Sequence, residues 1–317
     1  MNENEPYILV FGVSIYDIFG FTTNNYRKRD SNPGKVRISY GGVCRNIAEN
    51  MARVGTNIKF ISIVGNDEKG RNILQHAESL GIDTKDSLIA SGESTPTYMA
   101  IMNEYGEMES AIVDMGITDK ISEEFIDSKE DIIINSEYMV LGADNPEIME
   151  YILTKYQGRT KFILDPVSSA RVQKITHLIK YFYTIKPNRI EAEVLCGFKI
   201  ESIEDVRKAG KCLLDYGVKH VFISLDAEGI YYNNGQEEGI IKANQVPVVN
   251  VTGAGDSCVA GLGYGYMNGL SIVEMLKYAI AMSVITISHE ETIHPDMNYD
   301  MVESYIKNLD WIEITFN

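Results

Sequence analysis

Short apolar segments alternate with longer amphipathic segments through most of this chain, and this alternation strongly limits the folds open to it. The apolar segments predict β-strands at 7–11, 59–64, 131–134, 138–141, 161–164, 183–185 and 220–224. The amphipathic segments predict helices at 45–54, 70–80, 146–156, 204–216 and 271–288. Apolar strands separated by helices form parallel sheets that are covered on both faces. The sequence therefore predicts an α/β fold, with a doubly wound, mostly parallel central sheet and helices on both faces.

Two extended segments depart from this alternation. Residues 97–114 contain two extended runs around a turn at 103–106, which is typical of a β-hairpin, and the polar stretch 21–40 ends in strand-like residues. The two could pair as a small sheet above the carboxyl ends of the main strands, where open α/β sheets bind ligands. Spacing alone leaves a lid and a surface ornament as equal alternatives. We predict one domain over 1–317, with a small β lid formed from about 18–40 and 95–115.

The charge balance limits the partners of this protein. The 317 residues include 29 Lys and Arg against 45 Asp and Glu, a formal net charge of −16. An anionic surface repels nucleic acid and anionic lipid, so neither is an expected partner. No apolar run reaches the ~18 residues of a membrane helix, and the acidic start lacks the pattern of an export signal. The four cysteines are scattered without CxxC spacing, so we expect a cytoplasmic protein with reduced thiols.

The segment 250–256, Asn-Val-Thr-Gly-Ala-Gly-Asp, is the strongest chemical signal in the sequence. Gly253 and Gly255 allow a sharp turn that brings backbone N–H groups close to an anion, and the helix that follows directs its positive end to the same place. Asp256 would lie there ionised and able to accept a proton, which suits phosphoryl transfer to a hydroxyl group. A glycine-rich helix start with Asp256 as a dipole partner is the alternative. No Gly-Lys-Ser/Thr follows, so the segment is not a Walker loop.

A second glycine-led helix begins after Gly41 and Gly42 and stops at Gly55. The glycine pair permits close approach of a ligand to the backbone, and Asn46 in the first turn offers an amide to hydroxyl groups. Taken alone, the segment is more typical of a packed helix that starts with glycines, and a ligand site is the alternative.

Together the two segments resemble the two signatures of the ribokinase-like carbohydrate kinases, the PfkB family, which carry Gly-Gly…Asn…Ala…Gly early and Thr-Gly-Ala-Gly-Asp late in the chain. Two further segments match between them. Lys186-Pro-Asn188-Arg-Ile-Glu191 is similar to the family's Asn-x-x-Glu motif, and 222–229 is similar to the strand and turn beside the nucleotide. The four matches stand in family order and cover nearly the whole chain. The resemblance implies a ribokinase-like fold and transfer of a phosphoryl group from ATP to an alcohol.

The resemblance also implies roles for the matching residues. Asp256 would be the catalytic base, beside an anion hole formed by Gly253, Ala254 and Gly255. The residues implied to bind acceptor hydroxyls are Asp17, at the end of the first strand, with Gly41, Gly42 and Asn46. Those implied to contact the acceptor's base are Thr97, Tyr98 and Asp114. The implied nucleotide-binding residues are Asn188, Glu191, Ser224, Gly229, Thr252, Gly253 and Gly255. A carboxylate accepts two vicinal hydroxyls well, although a solvated strand-end acid is the alternative for Asp17.

The resemblance further implies ATP and Mg²⁺ as cofactors, with Glu191 holding Mg²⁺ through water. Asn250 and Thr252 offer oxygens to a monovalent cation such as K⁺. Asn250 lacks the charge of the family's Asp, however, so K⁺ activation is expected to be weak or absent. The family lid often forms a dimer interface, and a homodimer through the lid is therefore expected.

The acceptor is less constrained than the reaction. The segments 41–50, 97–98, 113–115, 165–168 and 186–193 are most similar to a family member that phosphorylates the 5′-hydroxyl of a nucleoside in salvage. Val43 stands where ribokinases usually have Lys, which argues against free ribose. Another nucleoside or a furanose sugar, such as ribose or fructose, is the alternative within the class. A ligand-sensing module without catalysis is the alternative outside it, and the intact Asp256 and Glu191 count against that one.

Overall fold

Strands and helices alternate through residues 5–244 and 246–316, the part of the chain that a computed structural model describes. The strands are β1 (Ile8–Phe11), β2 (Ile15–Thr22), β3 (Gly34–Gly41), β4 (Ile58–Ile61), β5 (Ile63–Gly65), β6 (Leu88–Ala90), β7 (Thr97–Met102), β8 (Met108–Asp114), β9 (Tyr138–Gly142), β10 (Lys161–Asp165), β11 (Thr184–Ile185), β12 (His220–Ser224), β13 (Ile230–Asn233), β14 (Glu238–Asn244) and β15 (Asp310–Thr315). The α-helices are α1 (Val43–Arg53), α2 (Glu68–Ser79), α3 (Glu123–Asp127), α4 (Glu130–Ile134), α5 (Pro146–Lys155), α6 (Ser169–Ile175), α7 (Arg189–Cys196), α8 (Ile203–Asp215), α9 (Ala254–Met267), α10 (Ile272–Ile287) and α11 (Tyr299–Asn308).

The central sheet has the strand order β15-β14-β13-β12-β11-β10-β9-β1-β4. The strands from β12 to β4 are parallel, and β13, β14 and β15 extend one edge in antiparallel fashion. Both faces of the parallel part are buried. In β1, Leu9 and Phe11 belong to the hydrophobic core on one face, while Ile8 and Val10 belong to the core on the other. The predicted doubly wound α/β fold is confirmed.

Most predicted elements are present, and the exceptions have physical causes. The strand predicted at 131–134 is wrong, because these residues form α4. So short an apolar run has no periodicity to separate a strand from a helix, and Glu130 and Asp131 stabilise the start of a helix. The strand predicted at 59–64 is divided at Ser62 into β4 and β5. The antiparallel strands β13–β15 lie outside the predicted strands.

The two extended segments pair in a separate sheet of order β3-β2-β7-β8, which we call the lid. It begins at Ile15, before the predicted start near residue 18. Because partners across strands share a face and neighbours along a strand alternate, the register defines two faces. The inner face carries Asp17, Ser39, Tyr98 and Val113, and the outer face carries Ile18, Ile38, Met99 and Ile112.

Helix α9 follows the Thr-Gly-Ala-Gly-Asp segment and packs against α10 and α1. A Cβ on Gly261 would overlap the backbone of Ala279, so glycine is needed for α9 and α10 to approach this closely. Within the described residues, no helix combines the length and the apolar character needed to cross a membrane.

Candidate active site

The N-terminal ends of α1 and α9 meet at the carboxyl edge of the central sheet. Each helix is preceded by a glycine with positive φ, Gly42 at +100° and Gly253 at +83°. A Cβ on Gly42 would overlap the Val13 carbonyl oxygen, and one on Gly253 would overlap that of Thr292. Only glycine satisfies both the backbone angle and the space, so these two positions determine how the helices start.

The two motifs join through a hydrogen bond between their side chains. Asn46 Nδ2 on α1 donates to Asp256 Oδ2 on α9 over 2.8 Å, and both residues are buried. Arg45 Nη1 donates to Asn46 Oδ1 over 3.2 Å and to the Tyr40 carbonyl oxygen over 2.7 Å. Arg45 itself is paired with Glu49, one helical turn further on. This arrangement directs the NH₂ group of Asn46 toward Asp256.

Burial dominates the electrostatics of Asp256. It raises the pKa of the Asp256 carboxyl to about 7, and the negative charge of Asp165 acts in the same direction. The hydrogen bond from Asn46 and the charge of Lys186 oppose this rise. Burial therefore opposes the ionisation that the sequence predicts for Asp256, while Asn46 and Lys186 favour it. A base with a pKa near the working pH is well matched to proton transfer.

Lys186 and Asp165 form a buried pair beside this turn. Lys186 Nζ lies 3.5 Å from Asp165 Oδ2, and 3.1 Å from the point where a Cβ on Gly255 would stand. Burial opposes the positive charge of Lys186, but Asp165 and the other acidic groups nearby raise its pKa above the ordinary lysine value. The ammonium group is therefore charged and lies against the Gly253–Asp256 turn.

The Asn-x-x-Glu motif is a capping box at the start of α7. Asn188 Oδ1 accepts from the Glu191 backbone N–H, and Glu191 Oε2 accepts from the Asn188 backbone N–H, each over 2.9 Å. Burial raises the pKa of the Glu191 carboxyl. The adjacent strand β12 ends at Ser224, whose backbone N–H donates to the Pro187 carbonyl oxygen over 3.0 Å. The motif thus lies where β11 and β12 end.

Two more implied nucleotide residues lie in loops near this edge. Gly229 has a φ of +96°, and a Cβ there would overlap the Ile241 carbonyl oxygen. The backbone N–H of Thr252 donates to Asn250 Oδ1 over 3.0 Å, and Asn250 Nδ2 donates to the Glu290 carbonyl oxygen over 2.9 Å. The Asn250 amide therefore fastens the loop before α9.

Asp17 lies on the lid strand β2, not at the end of β1 as the sequence predicted. The first strand ends at Phe11, and the chain turns into the lid before it reaches Asp17. A Cβ on Gly41 would overlap the Asp17 carboxylate, so the missing side chain makes room for it. Burial raises the pKa of Asp17 to about 6, and the opposite charge of Arg45 limits that rise.

The lid separates the residues expected to contact an acceptor's base. Tyr98 shares the inner face with Asp17, whereas Thr97 and Asp114 lie on the outer face. The Thr97 hydroxyl accepts from Lys69 Nζ and donates to the Thr95 carbonyl oxygen, each over 2.8 Å. The prediction that Thr97 and Asp114 contact the base therefore does not fit their orientation. The parallel pairing of β2 with β7 determines which face of the lid each of these residues occupies. The sequence of the hairpin alone does not show that pairing.

Several charged residues of this region have no role in the sequence prediction. They are Arg45, Asp144, Asp165, Arg171 and Lys186. Asp144, which pairs with Arg171, comes shortly after β9 ends, Asp165 is the last residue of β10, and Lys186 directly follows β11. A charged residue at the end of an apolar run is a signal that could have identified Asp165 and Lys186, because ligands bind at the carboxyl edge of such sheets.

Residues 5–298 match the sequence profile of the pfkB family of carbohydrate kinases. The chain belongs to this family, and it is a phosphotransferase that acts on an alcohol group. It is 32% identical to the pseudouridine kinase of Escherichia coli K12 over 308 residues, covering 96% of this chain and 98% of that protein. It is 28% identical to the ribokinase of Haemophilus influenzae, over 80% and 82% of the two chains.

Solved structures agree with this assignment. A crystal structure of a Clostridium perfringens protein described as a sugar kinase is 56% identical, covers 99% of this chain and 100% of that one, and superposes with a TM-score of 0.96. Arabidopsis thaliana ribokinase, solved with ribose and ATP, is 20% identical over 95% and 99% of the chains, with a TM-score of 0.84. The predicted ribokinase-like fold is confirmed.

Proposed function

We propose that this protein is a pseudouridine kinase, which transfers the γ-phosphoryl group of ATP to the 5′-hydroxyl of pseudouridine. The hydrogen bond between Asn46 and Asp256 carries the proposal, because it joins the helix implied to bind the acceptor to the helix implied to bind the phosphoryl group. Similarity to the Escherichia coli pseudouridine kinase along almost the full length of both chains supports this acceptor. Val43, in the place of a ribokinase lysine, disfavours free ribose.

In the proposed reaction, Asp17 and Asn46 hold the ribose hydroxyls while the lid covers the nucleoside and excludes water. Asp256 in its ionised form accepts the proton of the 5′-hydroxyl as that oxygen bonds to the γ-phosphorus. The bond from the γ-phosphorus to the β,γ-bridging oxygen breaks, and ADP leaves. The backbone N–H groups from Gly253 to Asp256 face the charge on the transferred group.

The donor set near α7 suits Mg²⁺, which prefers carboxylate oxygens and retains several waters. Glu191 is buried at the helix start with its carboxylate ordered by the Asn188 N–H, so it would hold the ion through water. Bound Mg²⁺ would neutralise charge on the β- and γ-phosphates. Asn188, Ser224, Gly229 and Thr252 would border the nucleotide.

We expect little activation by K⁺. Asn250 Oδ1 accepts from the Thr252 backbone N–H, Asn250 Nδ2 donates to the Glu290 carbonyl oxygen, and the residue carries no charge to attract a cation. Rates in KCl and in choline chloride at equal ionic strength should agree, and strong dependence on K⁺ would contradict this expectation.

Aromatic side chains on the inner face of the lid would cover the base. The rings of Phe19 and Tyr98 meet edge to face with centroids 5.9 Å apart, and the Arg37 guanidinium lies over Phe19 at 5.7 Å. Such a surface can stack against a flat uracil ring, whereas a free sugar has no aromatic ring to stack.

We also propose a homodimer formed through the outer face of the lid. Ile38, Met99 and Ile112 are large apolar residues along this face, and they are 53%, 46% and 69% exposed. Contiguous apolar surface of this kind marks protein contacts.

We infer a cytoplasmic enzyme of nucleoside salvage, since ATP is its phosphoryl donor and the four cysteines, all within the described residues, are free thiols.

The test is ADP release with Mg-ATP and pseudouridine, uridine, ribose or fructose, with Asp256→Asn as the inactive control. Turnover with pseudouridine far above uridine is the expected result. A preference for ribose, fructose or uridine would support the kinase reaction but contradict pseudouridine as the acceptor. A sugar kinase is the second candidate, because the chain is similar to a ribokinase. Tight nucleoside binding without ADP release would indicate a sensing protein.

A further inference from the structure

Lys186 is a buried cation for which the reaction described above has no use. Only 4% of the residue is exposed, and it follows β11 at the carboxyl edge of the sheet. Its ammonium group lies 3.1 Å from the point where a Cβ on Gly255 would stand. Because residue 255 has no side chain, nothing of that residue separates the ammonium from the turn between Gly253 and Asp256.

The pair with Asp165 does not account for all of this ammonium group. An ammonium has three N–H donors, and the contact with Asp165 Oδ2 is long, at 3.5 Å. Asp165 is itself held in place, since its Oδ1 accepts from the Val167 backbone N–H over 2.8 Å. Val167 has a φ of +67°, an uncommon angle for a β-branched residue, and such strain clusters at functional sites. Asp165 is therefore held in a defined position, from which it orients the ammonium group of Lys186.

The charges around the turn call for a cation. Asp165, Glu191 and Asp256 all act on Lys186 electrostatically, and all three are buried carboxyl groups. A transferred phosphoryl group adds more negative charge at the same place. Helix ends and backbone N–H groups supply only partial positive charges, whereas a lysine ammonium is a full point charge that binds phosphate well.

We propose that Lys186 is a catalytic residue, whose ammonium group donates to an oxygen of the transferred phosphoryl group from the Gly255 side, with Asp165 as its positioning residue. Lys186 keeps its proton throughout, and the bonds formed and broken are those given above. The inference rests on the placement of the γ-phosphoryl group in the proposed function, but not on the identity of the acceptor.

The test compares Lys186→Met with the double variant Asp165→Asn/Lys186→Met. Methionine keeps the apolar stem but leaves Asp165 buried and unpaired, which destabilises the fold, whereas the double variant removes the pair as a unit. For each variant we measure the unfolding temperature and kcat on the alkaline plateau of the pH–rate profile. We also measure two Kd values, one for Mg-ADP and one for the Mg²⁺ complex of a non-hydrolysable ATP analogue. The alkaline plateau excludes effects on the ionisation of Asp256.

We expect the double variant to recover stability and still lose about 10²–10³-fold in kcat, as for other transition-state donors. Its affinity for the ATP analogue should fall at least about tenfold, because one charged hydrogen bond to the γ-phosphate contributes about that much to binding. Its affinity for Mg-ADP, which has no γ-phosphate, should not change. Recovery of wild-type kcat in the double variant would overturn the proposal, because Lys186 would then only neutralise Asp165. Equal losses for both nucleotides would also overturn it. The binding readout needs no acceptor, so it stands or fails independently of the pseudouridine assignment.

Discussion

Asn46 and Asp256 are 210 positions apart in the chain, and their side chains are joined by a hydrogen bond of 2.8 Å. The bond lowers the pKa of Asp256 against the effect of burial. Asn46 thus acts on the proposed base as well as on the proposed acceptor, and it connects α1 to the start of α9.

Asn46→Ala should move the acid limb of kcat/KM to higher pH. Loss of the hydrogen bond raises the pKa of Asp256, and the reaction needs the ionised carboxylate, so activity falls first on the acid side. A pH–rate profile against wild type measures this. Asn50→Ala is the matched control, because Asn50 lies one turn further along α1 and donates to the Asn46 carbonyl oxygen instead of Asp256. An unmoved acid limb in Asn46→Ala would contradict the coupling.

Asp256→Asn should reduce kcat by about 10²–10⁴-fold, which is the usual contribution of a general base. The same change should stabilise the fold at pH 8. A folded-state pKa of about 7 lies above the ordinary value of 3.8, so the folded form binds this proton more tightly than the unfolded chain. The resulting stability is present below about pH 4 and is lost as the pH rises through 7.

Urea unfolding of Asp256→Asn at pH 5 and pH 8 checks the stability part. The gain should be on the order of 4 kcal/mol at pH 8 and less than half of that at pH 5. Asp215→Asn serves as control, because Asp215 is exposed at the end of α8. Near-wild-type turnover of Asp256→Asn would exclude Asp256 as the base.

Asp17→Asn should raise the KM for the acceptor and remove its pH dependence. Burial raises the pKa of Asp17 to about 6, so wild type should bind the acceptor less well below that pH, where the protonated carboxyl accepts fewer hydrogen bonds. Initial rates between pH 5 and 8 give both constants. The KM for ATP is the internal control and should stay constant. An acceptor KM independent of pH in wild type would remove Asp17 from the hydroxyl site.

Gly253→Ala should destabilise the fold and abolish activity, because it combines a φ of +83° with overlap of the Thr292 carbonyl oxygen. Gly269→Ala is the matched control: its φ is +63°, and a Cβ there meets nothing within 4 Å. The control should lose only about 1 kcal/mol, the cost of a left-handed backbone angle, and keep its activity. Thermal unfolding with an ADP-release assay distinguishes the two variants. Equal behaviour would mean that the contact with Thr292 is unimportant.

Ile38→Lys and Ile112→Lys should convert the proposed dimer into monomers, since each adds charge to the apolar outer face of the lid. Light scattering coupled to gel filtration measures the mass. Val248→Lys is the control, because Val248 is 60% exposed but lies outside the lid. A wild-type monomer, or a dimer unaffected by both lid variants, would refute this interface.

Elements with a clear pattern were accessible from sequence, and elements defined by distant partners were not. Apolar strands such as β9 and β10 and amphipathic helices such as α8 have recognisable periodicity. The run at 131–134 is too short for that, and it became α4. The edge strands β13–β15 depend on pairing with one another and with β12, which no local pattern announces.

The same distinction holds within the site. The glycine-led starts of α1 and α9 and the capping box of Asn188 and Glu191 follow from local sequence, because backbone angles and hydrogen bonds between near neighbours specify them. The lid face of Thr97, the pair of Lys186 with Asp165 and the raised pKa of Asp256 follow instead from contacts between segments far apart in the chain. These depend on strand pairing and on burial by distant segments. Desolvation and charge–charge interactions act through space, and the order of residues along the chain does not encode them locally.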